Sequence, residues 1–165
     1  MRTARTRLVA SSVVACLLGS SWCRADSGTA EYVASFVVNY AKSEFGDTTL
    51  SAGGSSGTIT ITKSTGGPFV DGTSGLIECI VFAKKSPSGL DLEADCTSTF
   101  SPGDRLLWVS KRRSGDVSTG VAGEGTSQIV GGTGRFSGMS GQCSYKLDPL
   151  GSNRVVSISK CQWQK

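Results

Sequence analysis

Short stretches of alternating apolar and polar residues recur along the chain, separated by glycine, serine, proline and asparagine. The segment Thr58-Ile59-Thr60-Ile61-Thr62 alternates strictly, as a strand with one buried face does. The same reasoning predicts strands over residues 32–40, 58–63, 76–83, 90–100, 104–112, 117–130, 139–147 and 154–163. Tyr32, Val33, Phe36, Val37 and Tyr40 also fit a helical face; no other window offers an amphipathic helix. Eight short strands without crossover helices predict an all-β domain, an eight-stranded antiparallel up-and-down barrel or a sandwich. A closed barrel of about eight strands leaves an interior that side chains fill or that holds one small ligand. The glycine- and serine-rich residues 51–57 read as a loop within this domain.

The first 25 residues break the pattern. Arg2, Arg5 and Arg7 precede an apolar run over residues 8–18, diluted only by Ser11 and Ser12. That is the order of a secretory signal peptide. The run is shorter than the roughly 20 residues a transmembrane segment needs. Cys23-Arg24-Ala25 before Asp26 suits cleavage, whereas lipid attachment at Cys16 after Val13-Val14-Ala15 would halve the apolar run. The expectation is a signal peptide over 1–25 and a single barrel domain over 26–165, exported to the periplasm or the medium. Cleavage removes Arg2, Arg5, Arg7 and Arg24 and no acid, so 17 Lys+Arg fall to 13 against 13 Asp+Glu. A neutral mature chain gives no support to a nucleic-acid partner. The remaining basic run, Lys111-Arg112-Arg113, ends an apolar strand and reads as a solvated edge.

Of six cysteines, Cys79, Cys96, Cys143 and Cys161 remain after cleavage, an even number that in an exported chain reads as two disulfides. Hairpin geometry selects the pairing. A hairpin joining Cys79 to Cys96 centres on Pro87-Ser88, inside Ser86-Pro87-Ser88-Gly89; one joining Cys143 to Cys161 centres on Ser152, inside Gly151-Ser152-Asn153. The first register sets Lys84 opposite Asp91, Val81 opposite Ala94 and Ala83 opposite Leu92. Each bridge closes a short loop worth roughly 3 kcal/mol of unfolded-chain entropy.

Chemistry is sparse. With no histidine, Ser-His-Asp triads, Cys-His pairs and histidine metal sites are excluded. There is no C-x-x-C pair and no zinc ligand set, so no metal or cofactor is expected. No serine has a base at matched spacing, so no catalytic residue is assigned. Gly131-Gly132-Thr133-Gly134-Arg135-Phe136-Ser137-Gly138 lies between strands, not before a helix, and Ser137 replaces the third glycine of G-x-G-x-x-G. It reads as a tight structural turn built on Gly131, Gly132, Gly134 and Gly138, with Phe136 as an apolar plug. Asp91, Glu93 and Asp95 share one strand face, taken as solvent-facing, although Ile80 and Phe82 should share it. Trp108, Phe136 and Tyr145 are the candidate ligand contacts, and Trp163 is expected to pack on a barrel end.

The glycine motif 131–141, with Cys79, Cys96, Pro102-Gly103-Asp104, Gly123-Glu124-Gly125, Cys143 and Cys161-Gln162-Trp163, resembles secreted bacterial proteins of the allene oxide cyclase and dirigent-like barrel group, over residues 53–165. The resemblance implies an eight-stranded antiparallel barrel with a mostly apolar cavity and disulfide-bonded bacterial members of undefined activity. No catalytic position carries over. Three functions follow as alternatives. The first is a non-enzymatic binder of a small apolar ligand. The second is an envelope interaction or inhibitor protein, working through residues 66–75 on a protein partner. The third is a cyclase-like isomerase, which needs one of Glu78, Glu93, Asp95 or Glu124 inside the cavity.

Overall fold

Alternation of apolar and polar positions, clearest in Thr58-Ile59-Thr60-Ile61-Thr62, favours segments of extended chain paired into a sheet with one buried face. In the computed structural model, which describes residues 26–113 and 123–165, these segments become β1 (Ser27–Phe45), β2 (Thr48–Ser64), β3 (Ser74–Ser86), β4 (Gly89–Phe100), β5 (Asp104–Arg112), β6 (Gly123–Gly132), β7 (Ser140–Gly151) and β8 (Arg154–Gln164). Each strand pairs antiparallel with the next, and β8 returns to β1, so the sheet closes into an eight-stranded up-and-down barrel. Closure gives every strand a neighbour on both sides among the described residues. The segment that also fitted a helical face lies in β1, because both of its edges are claimed by β2 and β8. Of the strand expected over residues 117–130, the part before Gly123 lies outside the described residues.

Residues 51–57 are a correction. They belong to β2, paired with β1 on one side and β3 on the other. Their small side chains follow from tight packing between neighbouring backbones: a Cβ at Gly57 would run into the Ser35 carbonyl on β1. The composition that reads as a loop here serves close strand approach.

Both disulfides have the expected connectivity, Cys79–Cys96 across β3 and β4 and Cys143–Cys161 across β7 and β8. The first hairpin has the expected register, with Val81 opposite Ala94, Ala83 opposite Leu92 and Lys84 opposite Asp91. The bridges point into the barrel. Outside, Asp95 is exposed, and Glu93 pairs with Lys111 at 3.1 Å and Arg113 at 3.9 Å. Ile80 and Phe82 share that outer face and are 78% and 54% exposed.

One end of the barrel is packed shut. Between β6 and β7, a single 3-10 turn, Gly134–Phe136, drives Phe136 into the interior, where it is fully buried. Gly134 and Gly138 take positive φ angles of 58° and 76°, which permit the reversal. Gly131 lies at the irregularity where β6 shifts register against β5, and Gly132 lies where a Cβ would fall 2.6 Å from that of Phe136. The ring of Phe136 meets Phe69 at 5.5 Å and Phe100 at 5.3 Å. Phe69 comes from the connection between β2 and β3, held down by Gly72 N–H donating to the Ile61 carbonyl at 2.8 Å. Trp163 packs against Phe69 at 6.1 Å, at this end of the barrel.

Candidate ligand-binding site

The other half of the barrel is hollow. Inward residues there enclose a cavity of about 390 Å³, within the roughly 300–1,000 Å³ range of small-molecule sites. Its wall combines aliphatic side chains (Ile77, Val81, Leu92, Ala94) with the Cys79–Cys96 bridge and the rings of Phe36, Trp108, Tyr32, Tyr40 and Tyr145. Lys42 and Arg154 lie on the strand ends at the opening, and Arg112 lies deeper.

All three tyrosines of the chain line this space, because Tyr32 and Tyr40 occupy inward positions of β1 and Tyr145 an inward position of β7. Tyr32 stands opposite Ser159 on β8, and Ser159 stands opposite Tyr145 on β7. Tyr32 also packs against Trp108, with ring centroids 5.2 Å apart. Trp108 is 3% exposed, and its indole N–H donates to Ser98 Oγ at 2.8 Å, which fixes the ring in the wall.

Burial raises the Tyr32 hydroxyl above the usual value of 10, and the nearby Ser159 and Ser127 hydroxyls offset part of the rise. Tyr40 is raised by burial, against a smaller opposing effect of Ser55. Tyr145 is raised by burial, lowered by the Arg112 guanidinium and raised again by Tyr32. All three are therefore neutral phenols at ordinary pH. A raised folded pKa means the native state holds its proton while the unfolded chain releases it. Their contribution to stability is complete below about pH 10 and is lost as pH rises through the folded values. A spectrophotometric titration of phenolate should show less ionisation of the native protein at pH 10 than the half ionisation of free tyrosine, with the remaining phenolate appearing at higher pH. Three phenols titrating at the free value would contradict this burial.

Arg112 corrects a reading of the sequence. The run Lys111-Arg112-Arg113 reads in sequence as a solvated basic edge, yet Arg112 is only 4% exposed, while Lys111 and Arg113 point outward. The alternation Leu106, Trp108, Ser110, Arg112 along β5 is the signal that places it inside. Two glycines of β6 make the room. A Cβ at Gly123 would collide with the Arg112 guanidinium, and one at Gly125 with the Tyr145 phenol.

Of the three candidate ligand contacts, Trp108 and Tyr145 line the cavity. Phe136 does not; it belongs to the packed end, where the turn between β6 and β7 carries it. Tyr32, Tyr40 and Arg112 are lining residues that motif reading did not single out. None of Glu78, Glu93, Asp95 and Glu124 is in the wall; three are exposed, and Glu93 is engaged outside by Lys111. Among the described residues no group of three or more His, Cys, Asp or Glu could hold a metal ion, and no helix is long and apolar enough to cross a membrane.

No protein-family model and no curated protein matches the chain. Among solved structures the barrel is similar to that of the pterocarpan synthase dirigent protein PsPTS1, with a TM-score of 0.45 and 15% identity over 86% of this chain and 94% of that chain. At this distance the likeness is one of strand arrangement alone and says nothing about ligand or chemistry.

Proposed function

We propose that the protein is an exported, non-enzymatic barrel that holds a small apolar ligand in its hollow half. The observation that carries this reading is the cavity itself: an aromatic and aliphatic wall around Trp108, open at one end and sealed at the other by Phe69, Phe100 and Phe136. An isomerase of the cyclase type would need a carboxylate within reach of the ligand, and the four acids considered for that role stand outside the wall. Export is supported by the two disulfides, which persist in oxidising compartments, and by the leader-like residues 1–25.

A neutral fluorescent arene, N-phenyl-1-naphthylamine, tests the reading. Titration should quench Trp108 emission saturably with one site per chain, and Ala94→Trp, which fills the wall opposite Val81, should abolish binding in a folded barrel. Failure of the probe to saturate, or equal binding by a folded Ala94→Trp variant, would remove the cavity from consideration.

The interaction-protein alternative keeps one supporting observation. Residues 66–75 offer little, since Phe69 is buried and only Val70 is an exposed large apolar side chain there, but Ile80 and Phe82 stand exposed on the outer face of β3. Native mass spectrometry of protein from its own host separates the two: a retained small molecule supports the binder, a retained protein the alternative.

A further inference from the structure

β1 is longer than the stretch of barrel wall that it closes. It runs from Ser27 to Phe45, yet its pairing with β8 ends at Val37 opposite Arg154, where the chain turns back into β7. One further bond, from the Val38 N–H to the Asn153 carbonyl at 2.8 Å, finishes that seam. Beyond it, residues 39–45 are held by β2 on one side and by no strand among the described residues on the other. Main-chain groups alternate sides along a strand, so the Val38 bond sets the N–H and C=O of Tyr40, Lys42 and Glu44 along this open edge. A row of unmet donors and acceptors beside a well-formed sheet is a template for another strand.

The side chains specify which strand. Tyr40 and Lys42 lie on the cavity face, and by alternation Glu44 shares it. Lys42 and Glu44 are exposed, and neither is in an ion pair among the described residues. On the opposite face Phe45 is 89% exposed, next to the small residues Ala41 and Ser43. A second copy of this edge can pair with it antiparallel in several registers. One sets Lys42 against Lys42, which repels; another sets Lys42 against Tyr40 and leaves Glu44 facing Val38. Centring the pair on Ser43 instead sets Lys42 opposite Glu44, and symmetry repeats that match. The same register sets Phe45 opposite Ala41 in a close, non-hydrogen-bonded pair, where a small side chain leaves room for the ring. A lone lysine on an edge deters pairing. A glutamate two residues further on turns it into a mark of register for a symmetric partner.

We infer that the protruding edge of β1, residues 39–45, pairs with the same edge of a second copy of this chain. The two strands run antiparallel about a two-fold axis at Ser43, with Lys42 opposite Glu44 of the second copy and Phe45 opposite its Ala41. Lys42 lies at the cavity opening, so each copy places a carboxylate at the mouth of the other. The inference stands on the strand edge and does not depend on what the cavity holds.

Sedimentation velocity of the mature protein over a concentration series tests it. The parent should pass from monomer to dimer as concentration rises, and amide exchange at Tyr40, Lys42 and Glu44 should slow in step. Lys42→Glu alone, or Glu44→Lys alone, sets like charges opposite each other twice and should weaken the dimer by about tenfold or more. Both positions are exposed, so the barrel core is untouched. Mixing the two variants is decisive. The first carries two carboxylates on this edge and the second two ammonium groups, so the mixture should form a heterodimer at concentrations where neither variant self-associates. A parent that stays monomeric overturns the inference, as do single variants that dimerise like the parent or a mixture that fails to associate. Slow exchange at those three amides in a monomer would give the edge to another stretch of the same chain, and would overturn it as well.

Discussion

Phe136→Ala is expected to lower the unfolding free energy by about 3–5 kcal/mol, the range for deleting a fully buried phenylalanine. Phe136 has no exposed surface and contacts two other rings, and the Arg135 guanidinium lies 5.0 Å from its ring centre. A small domain has a total stability of only about 5–15 kcal/mol, so this truncation would take a large share of it. The turn that carries Phe136 is pinned to β5 by Thr133 N–H donating to the Arg105 carbonyl at 2.8 Å, so the cavity left behind cannot easily collapse. Denaturant unfolding checks this, with Phe82→Ala as the contrast. Phe82 is 54% exposed, and its removal should change stability by no more than about 0.5 kcal/mol. Similar midpoints for the two variants would show that the packed end does not hold the barrel.

Replacing both cysteines of either bridge by alanine should cost about 3 kcal/mol, and removing both bridges about 6 kcal/mol, from restored freedom of the unfolded chain. The sequence separations are similar, 17 and 18 residues, and the bridges lie in different hairpins, which is why near-equal and additive losses are expected. The Cys79–Cys96 pair has a further consequence, because it forms part of the cavity wall and the Cys143–Cys161 pair does not. Its double replacement should therefore alter arene affinity as well as stability. Unfolding midpoints measure the first effect and probe titration the second. Variants as stable as the parent, or an unreduced peptide map showing a Cys79–Cys143 link, would contradict the strand register.

Much of this fold is legible along the chain because its interactions are local in sequence. Hairpins pair residues at constant distance from a turn, so Ser86-Pro87-Ser88-Gly89 and four cysteines suffice to align β3 with β4 and β7 with β8. Residues 51–57 were misread for an equally physical reason: small residues mark both loops and strands pressed against a neighbour, and only the β1 partner distinguishes them. Phe136 was legible as a plug and not as a feature of the packed end, since where a plug lies depends on which strands surround it.

By itself, then, the chain determines eight strands, their hairpin order, two bridges and the absence of histidine chemistry. The tertiary structure decided what lies inside. Lys111-Arg112-Arg113 is a charged run in any composition count, yet pleating turns its middle member inward. Tyr32, Arg112 and Tyr145 are far apart in the chain, and they share one cavity only because β8 closes back on β1. Curvature and closure of a sheet are set by all eight strands together, so no local pattern could say where the hollow half would be or which polar groups would face it.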